Sequence, residues 1–106
     1  MNPIAALILA SAFILTGGAA QAEEWVISQK KKRFTPKVLN VKVGDTLKFV
    51  NDDRFAHNLF SETKGFTFDV RKKMPGENHH LKLTKRGTFE VRCVIHPRMK
   101  MTVNVE

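Results

Sequence analysis

Residues 87–106 of this chain read GTFEVRCVIHPRMKMTVNVE, and this stretch decides the fold. Apolar and polar residues alternate from Phe89 to Cys93, and a second alternating run begins at Met99 and continues to the last residue. Because side chains alternate across a strand, the pattern predicts two strands joined by a short loop. Cys93 then ends the first strand and Met99 begins the second, both on the inward face, with His96 in the loop between them.

The same alternation marks most of the preceding chain. Apolar residues recur at every second position in three earlier runs: Leu39-Val41-Val43, Leu47-Phe49 and Leu81-Leu83. Turn-forming residues separate these runs: Gly44-Asp45, Pro75-Gly76 and Lys85-Arg86-Gly87. Seven or eight short strands with regular turns and no long helical period predict an all-β protein. We expect a Greek-key β-sandwich of seven to eight strands.

The N-terminal segment has the features of an export signal. Residues 4–15 form an almost unbroken apolar run, and Ala20-Gln21-Ala22 matches an A-x-A cleavage pattern. The run is shorter than the roughly 20 residues that a membrane span needs. The pattern predicts a cleavable signal peptide over residues 1–22 and a single exported domain over residues 23–106, soluble in the periplasm. Residues 1–3 contain no Lys or Arg, so a retained membrane anchor stays open as an alternative.

The chain is strongly basic. The formal net charge is +8, and every charged residue follows the predicted cleavage site. Basic clusters occupy residues 30–33, 71–73 and 85–86. Export and the lack of a nucleic-acid-binding motif argue against nucleic acid as the partner. An acidic protein partner or an anionic membrane surface fits this charge, and a merely solvated surface is an equally good interpretation.

The chain contains one cysteine, Cys93, so it cannot form an intramolecular disulfide. An unpaired thiol is unusual in an exported protein unless it has another role, although a buried structural Cys is the simplest interpretation in isolation. Cys93, His96 and Met99 follow a Cys-x2-His-x2-Met spacing, and His57 supplies a second imidazole upstream. One thiolate, two imidazoles and one thioether are the ligand set of a mononuclear blue-copper site.

These motifs resemble those of the cupredoxins, the blue-copper family of plastocyanin, pseudoazurin and amicyanin. The segment from Cys93 to Glu106 is most similar to amicyanin, which has the same short Cys-x2-His-Pro-x-Met loop. The His57-Asn58 pair, preceded by Asn51, is similar to the first ligand loop of the family. The resemblance covers essentially all of residues 23–106. The chain departs from the family at Val94-Ile95, where the relatives carry a more polar pair.

The resemblance implies a cofactor, a ligand set and a function. It implies one copper ion per chain, Cu(I) or Cu(II), bound by His57, Cys93, His96 and Met99. It also implies that the backbone N–H of Asn58 hydrogen-bonds the thiolate. The family carries single electrons between larger redox proteins. We therefore expect a monomeric electron carrier whose partner is a c-type cytochrome, a dehydrogenase or a reductase.

Two other potential ligand groups are less favoured. Met101 competes with Met99 for the axial position, but it lies two residues further along the same face, about 6.6 Å deeper by strand rise, and core packing is its better interpretation. His79 and His80 are adjacent on a predicted strand, so their side chains point to opposite faces and cannot readily bind one metal together.

Other classes of function fit these residues less well. Copper enzymes such as multicopper oxidases carry further His ligands beside the cysteine, whereas Arg92 and Val94 flank Cys93 here, so we do not expect an enzyme. The main alternative is a periplasmic copper-binding or delivery protein without a redox role. A buried site with a stiff loop releases metal slowly, which argues against delivery. A metal-free interaction module is the third possibility.

Overall fold

The structure is a computed structural model that describes residues 21–106. This part of the chain contains nine strands: β1 (Glu24–Lys30), β2 (Arg33–Thr35), β3 (Val38–Val41), β4 (Thr46–Asn51), β5 (His57–Ser61), β6 (Phe68–Lys73), β7 (Asn78–Lys82), β8 (Gly87–Arg92) and β9 (Lys100–Val105). They form a four-stranded sheet of order β2-β1-β4-β7 and a five-stranded sheet of order β3-β9-β8-β5-β6. The predicted all-β sandwich is therefore confirmed.

Both sheets are mixed. β1 pairs with β4, and β3 with β9, in parallel, whereas the remaining pairs are antiparallel. The chain crosses repeatedly from one sheet to the other, as in Greek-key sandwiches. The antiparallel pair of β8 and β9 is the one that the alternation in residues 87–106 predicted. Its register places Phe89 opposite Val103 and Val91 opposite Met101.

The strand count exceeds the expected seven or eight by at least one. β2 is only three residues long, and its one buried side chain, Phe34, directly follows the basic residues 30–33. That charged context concealed the strand in the sequence. Phe66 and Phe68 alternate with Thr67 and predict a strand over residues 66–68, but β6 begins at Phe68 and continues through the basic residues 71–73. β6 is an edge strand, where charged side chains reach solvent.

The core lies between the sheets and consists mainly of aromatic and aliphatic side chains. The ring of Phe34 meets that of Phe49 edge-on at 6.3 Å, and Phe66 stacks on Phe89 at 4.8 Å. Burying a side chain of this size stabilises the fold by about 1.5–3 kcal/mol. Cys93 belongs to the same buried cluster. The candidate metal ligand is therefore an extension of the core.

The sandwich is closed at one end by the Asp45 cluster, which we define as Asp45 with Glu23, Trp25 and Lys42. The Asp45 carboxylate accepts hydrogen bonds from the backbone N–H of Glu23 at 2.9 Å and of Lys42 at 3.0 Å, and from the indole Nε1–H of Trp25 at 3.0 Å. These hydrogen bonds, led by that from Glu23, hold the pKa of Asp45 below its ordinary value of 3.8. The cluster joins β1 to the turn before β4.

The predicted signal peptide, residues 1–22, lies almost entirely outside the described residues. Gln21 and Ala22 are exposed and precede β1. Between residues 21 and 106, no helix is long and apolar enough to cross a membrane. The processing site after Ala22 stays a prediction.

Candidate metal centre

Three side chains that can bind a metal converge at the end of the sandwich opposite the Asp45 cluster. One ligand atom from each of His57, Cys93 and His96 lies within 4.8 Å of the other two. His57 begins β5, Cys93 directly follows β8, and His96 lies in the loop between β8 and β9. His57 and Cys93 are fully buried, and His96 is partly exposed. The structure thus brings together three of the four side chains that the sequence singled out. His57 and Cys93, which are 36 residues apart in the sequence, become neighbours in the fold.

The loop from Cys93 to Met99 is closed by its own backbone. The Met99 N–H donates to the His96 carbonyl at 2.8 Å, and the Cys93 N–H donates to the Met99 carbonyl at 3.1 Å. Pro97 fixes one backbone dihedral angle within this loop. The side chain of Asn58 connects the loop to β5, because its Oδ1 accepts the Val94 N–H at 2.7 Å. These contacts restrain the loop that carries His96.

The sulfur of Cys93 lies among polar groups from β5. The backbone N–H of Asn58 points at Sγ from 3.5 Å, as the resemblance to cupredoxins implied. The Asn58 Oδ1 lies 3.4 Å from Sγ and accepts the S–H of the protonated thiol. An N–H directed at the sulfur stabilises the thiolate form, which is the form that binds a metal. Asn58 therefore positions both the thiol and the loop that follows it.

Asn51 organises the loop that leads to His57. Asn51 is buried, and its Nδ2 donates to the carbonyls of Phe55 at 3.0 Å and Lys73 at 2.9 Å. Its Oδ1 accepts the Asp53 N–H at 2.9 Å, which forms an Asx turn. The family resemblance included Asn51, and the structure gives it a physical role: it fixes the backbone that presents His57.

His57 directs its two ring nitrogens in opposite directions. Nδ1 lies 3.6 Å from the Cys93 sulfur, and Nε2 lies 2.5 Å from Oδ2 of Asp53. The same carboxylate accepts the backbone N–H groups of Lys31 at 2.9 Å and Lys32 at 3.4 Å. Burial by itself would raise the pKa of Asp53, but the hydrogen bonds from His57 and the two backbone N–H groups bring the pKa below its usual range.

Sequence reasoning missed Asp53. The available signal was a carboxylate four residues before a candidate ligand in an otherwise basic chain. The partners of that carboxylate on Lys31 and Lys32 depend on the packing of the β1–β2 turn, which the sequence pattern does not reveal.

His96 presents a nitrogen with no partner. Its Nδ1 is buried and makes no hydrogen bond to any group in residues 21–106. Buried polar atoms in native proteins are nearly always satisfied, so this nitrogen fits a metal ligand. Burial, and then the nearby His57 and Lys32, lower the pKa of His96. A neutral imidazole with one free inward nitrogen is the form that a metal requires.

Met99 and Met101 occupy different environments. Both are buried, but Met99 lines the same recess as His96 and contacts Cys93 through its backbone. Met101 lies opposite Val91 in the regular part of the sheet. This arrangement supports Met99 as the fourth ligand, and the axial role stays a prediction.

Within residues 21–106, His79 and His80 belong to no cluster of three or more potential metal ligands. His79 is half-buried and His80 is exposed, as the alternation predicted. The Nε2 of His80 lies 3.5 Å from a carboxylate oxygen of Glu24.

An apolar surface surrounds the exposed edge of His96. The ring centroid of Phe55 lies 5.7 Å from that of His96 and 5.3 Å from that of His57. Phe55, Val94 and Ile95 are exposed by 42%, 59% and 51%. Large exposed apolar side chains that lie together mark binding surfaces. We call Phe55, Ile95 and Pro97 the apolar rim, because the Phe55 ring contacts that of His96, and Ile95 and Pro97 line the same recess as His96.

A β-sandwich with two imidazoles and one thiol converging at its end defines a class of protein: a cupredoxin-like domain with a mononuclear metal centre. A comparison with models of known families identifies the family. Residues 22–106 match the model of the copper binding proteins, plastocyanin/azurin family. The chain belongs to this family.

Individual relatives agree with this assignment. The chain is 31% identical over 102 residues to the methylamine utilization protein MauL of Methylorubrum extorquens. This alignment covers 93% of this chain and 90% of MauL. The solved structure of an amicyanin mutant with Cu(I) superposes with a TM-score of 0.73 at 26% identity over 85% of this chain and 87% of that one. A Cu-containing nitrite reductase from Thermus scotoductus gives a TM-score of 0.74 at 29% identity, with 86% of this chain but only 24% of the enzyme covered.

Proposed function

We propose that this chain is a blue-copper electron carrier with one copper ion bound by His57, Cys93, His96 and Met99. The observation that carries the proposal is the convergence of the His57, Cys93 and His96 ligand atoms within 4.8 Å in a member of a copper-binding family. The unpartnered Nδ1 of His96 and the Nδ1 of His57 facing Sγ support it further. Copper bound by such ligands supplies a one-electron Cu(II)/Cu(I) couple.

The surrounding residues suit electron transfer because they restrain the ligands. The Cys93 side chain is excluded from solvent, and Asn58 holds both its sulfur and the following backbone. Asn51 fixes the loop before His57 in the same way. A ligand frame that moves little between the two oxidation states keeps the reorganisation energy of electron transfer low.

Electrons would enter and leave through His96. Unlike His57 and Cys93, it is partly exposed, and it is surrounded by the apolar rim. A small apolar contact surface suits a transient partner that must dissociate quickly. The adjacent Lys32 and Arg98, which line the same recess, give this surface a positive border.

We do not assign an enzymatic activity to the chain. The nitrite reductase match covers one quarter of that enzyme, so the similarity concerns a domain. In this chain the residues beside Cys93 are Arg92 and Val94, neither of which can supply a further metal-ligating nitrogen of the imidazole type. The proposal is therefore a monomeric carrier that passes electrons to and from other redox proteins.

Export to the periplasm completes the proposal. If processing occurs after Ala22, the Glu23 nitrogen that lies 2.9 Å from the Asp45 carboxylate becomes a positively charged terminus, which would strengthen that contact. The net charge of +8 favours an acidic redox partner such as a c-type cytochrome, a dehydrogenase or a reductase. Association with such a partner should slow steeply with added salt, since screening shortens to about 8 Å at 0.15 M.

Titration of the metal-free protein with Cu(II) tests the proposed function. We expect one equivalent to produce an intense thiolate-to-copper band in the visible spectrum, which bleaches on one-electron reduction and returns on reoxidation without loss of metal. Zn(II) serves as the control that fills the site without colour. A protein that takes up copper but releases it on every reduction would instead support the alternative of copper delivery, and a protein without the band would contradict both the ligand set and the carrier function.

A further inference from the structure

The carboxylate of Asp53 connects a candidate copper ligand to a surface turn. Asp53 is 9% exposed, and its two oxygens face His57 on one side and the backbone of Lys31 and Lys32 on the other. Lys31 and Lys32 form the tight β1–β2 turn, where both residues adopt positive φ angles of 54° and 59°. Such angles are uncommon for residues other than glycine, so the turn needs fixed partners.

The geometry also determines which nitrogen of His57 carries the proton. A carboxylate accepts hydrogen bonds, so the Nε2 beside Asp53 is the protonated nitrogen. Nδ1 is then left with its lone pair directed toward Cys93. Without Asp53 either nitrogen of a neutral imidazole can hold the proton, and the form protonated on Nδ1 cannot bind a metal through that atom.

We propose that Asp53 is a positioning residue that holds His57 in the metal-binding tautomer, strengthens it as a donor, and ties the Lys31–Lys32 turn to the copper site. The proposal rests on the proposed copper site and adds a residue that neither the motif nor the family comparison assigns. A carboxylate that accepts the distal N–H of a ligating histidine raises the basicity of the other nitrogen. A more basic imidazole favours Cu(II) over Cu(I), so Asp53 lowers the reduction potential.

The neighbouring Asp52 provides a matched control. It carries the same charge one residue away, but its Oδ2 accepts the Ser28 hydroxyl at 2.6 Å in an exposed contact and does not touch His57. Substitution of Asp52 therefore reproduces the change in net charge near the site without removing the hydrogen bond to the ligand. An effect confined to Asp53 therefore reports on its contacts with His57 and with the Lys31–Lys32 turn, both of which the control leaves intact.

The test compares Asp53→Ala and Asp53→Asn with Asp52→Ala and Asp52→Asn. Loss of an outer partner of a ligating histidine typically costs about 10–100-fold in metal affinity. We expect Asp53→Ala to weaken Cu(II) binding by that factor while Cu(I) binding changes less. A tenfold fall in the Cu(II) affinity relative to the Cu(I) affinity raises the one-electron reduction potential by about 59 mV. Asp53→Asn retains the shape but loses the charge, so it should shift the potential in the same direction by less, and it decides the question if Asp53→Ala does not fold.

A second readout does not involve copper. In the metal-free wild-type protein, ¹⁵N NMR should show the His57 proton on Nε2, and Asp53→Ala should give a mixture of tautomers and altered Lys31 and Lys32 amide signals. The proposal is overturned if the Asp53 variants have the potentials of the matched Asp52 variants. It is also overturned if His57 keeps a single Nε2–H tautomer without Asp53. A wild-type protein that never turns blue contradicts the copper site itself, which is a separate result.

Discussion

Two aspartates at opposite ends of this sandwich make the same set of hydrogen bonds with different consequences. Asp45 accepts two backbone N–H groups and the ring N–H of Trp25, and Asp53 accepts two backbone N–H groups and a ring nitrogen of His57. β4 separates the two ends by six residues, about 20 Å of strand. Both carboxylates fasten β1 or the turn after it to the rest of the fold.

The difference lies in the ring. The indole of Trp25 has one nitrogen, which can only donate, so the Asp45 contact ends there. The imidazole of His57 has a second nitrogen, and that nitrogen faces Cys93. A similar set of hydrogen bonds therefore ends at Trp25 at one end of the sandwich, and continues through His57 to the candidate metal ligands at the other.

The largest difference between the two ends is expected on substitution of Cys93. Cys93→Ser replaces the only thiolate by a hydroxyl, so we expect complete loss of the intense visible band, with the fold retained because the side chains are nearly equal in size. Absorption spectra of the copper-treated variant, beside circular dichroism of both proteins, check this. A variant that stays intensely blue would show that Cys93 is not the ligand.

Substitution of Asp45 should change the stability of the fold and leave the metal centre unchanged. Because the folded pKa of Asp45 lies below 3.8, its contribution is present above that pH and is lost as the pH falls through the lower folded value. We expect Asp45→Asn to lower the melting temperature at neutral pH and to make it less sensitive to acid below about pH 4, with an unchanged visible spectrum. Thermal unfolding from neutral to acid pH measures this. A changed copper spectrum would contradict the separation of the two ends.

Substitutions of Met99 and Met101 show which of the two methionines is the axial ligand. Met99→Leu removes the weak thioether donor and leaves an apolar axial position that disfavours Cu(II), so the reduction potential should rise. Met101→Leu is close to volume-conserving and should cost less than about 1.5 kcal/mol, with little change in potential. Voltammetry of both variants distinguishes them. The opposite pattern would transfer the axial role to Met101.

The smallest effect concerns the surface. Ile95→Lys adds a positive charge to the apolar rim and should slow electron self-exchange about tenfold or more by like-charge repulsion, while changing stability by no more than about 0.5 kcal/mol. Val43→Lys is the matched control, because Val43 is 45% exposed at the Asp45 end. NMR line broadening in mixtures of the two oxidation states measures the rate. Equal rates in both variants would argue against the rim as the contact surface.

The sequence predicted the elements whose pattern is local. Alternation identified β8 and β9 with their inward faces, and the spacing from Cys93 to Met99 identified most of the candidate site. The alternation of Leu39, Val41 and Val43 predicts that Val43 faces inward with the other two, but β3 ends at Val41 and the following turn exposes Val43. The sequence pattern did not reveal β2, because this strand is short and follows a run of basic residues. It did not reveal the role of Asp53 either, because the partners of that carboxylate lie in a turn that is distant in the sequence. Both depend on tertiary contacts.

X-ray absorption spectroscopy of the copper-loaded protein in both oxidation states tests the central claim most directly. A site built from Cys93, His57 and His96 predicts one short copper–sulfur distance and two copper–nitrogen distances, which change little when Cu(II) is reduced to Cu(I). A coordination shell of nitrogen and oxygen alone, or one that rearranges on reduction, would contradict a blue-copper electron carrier.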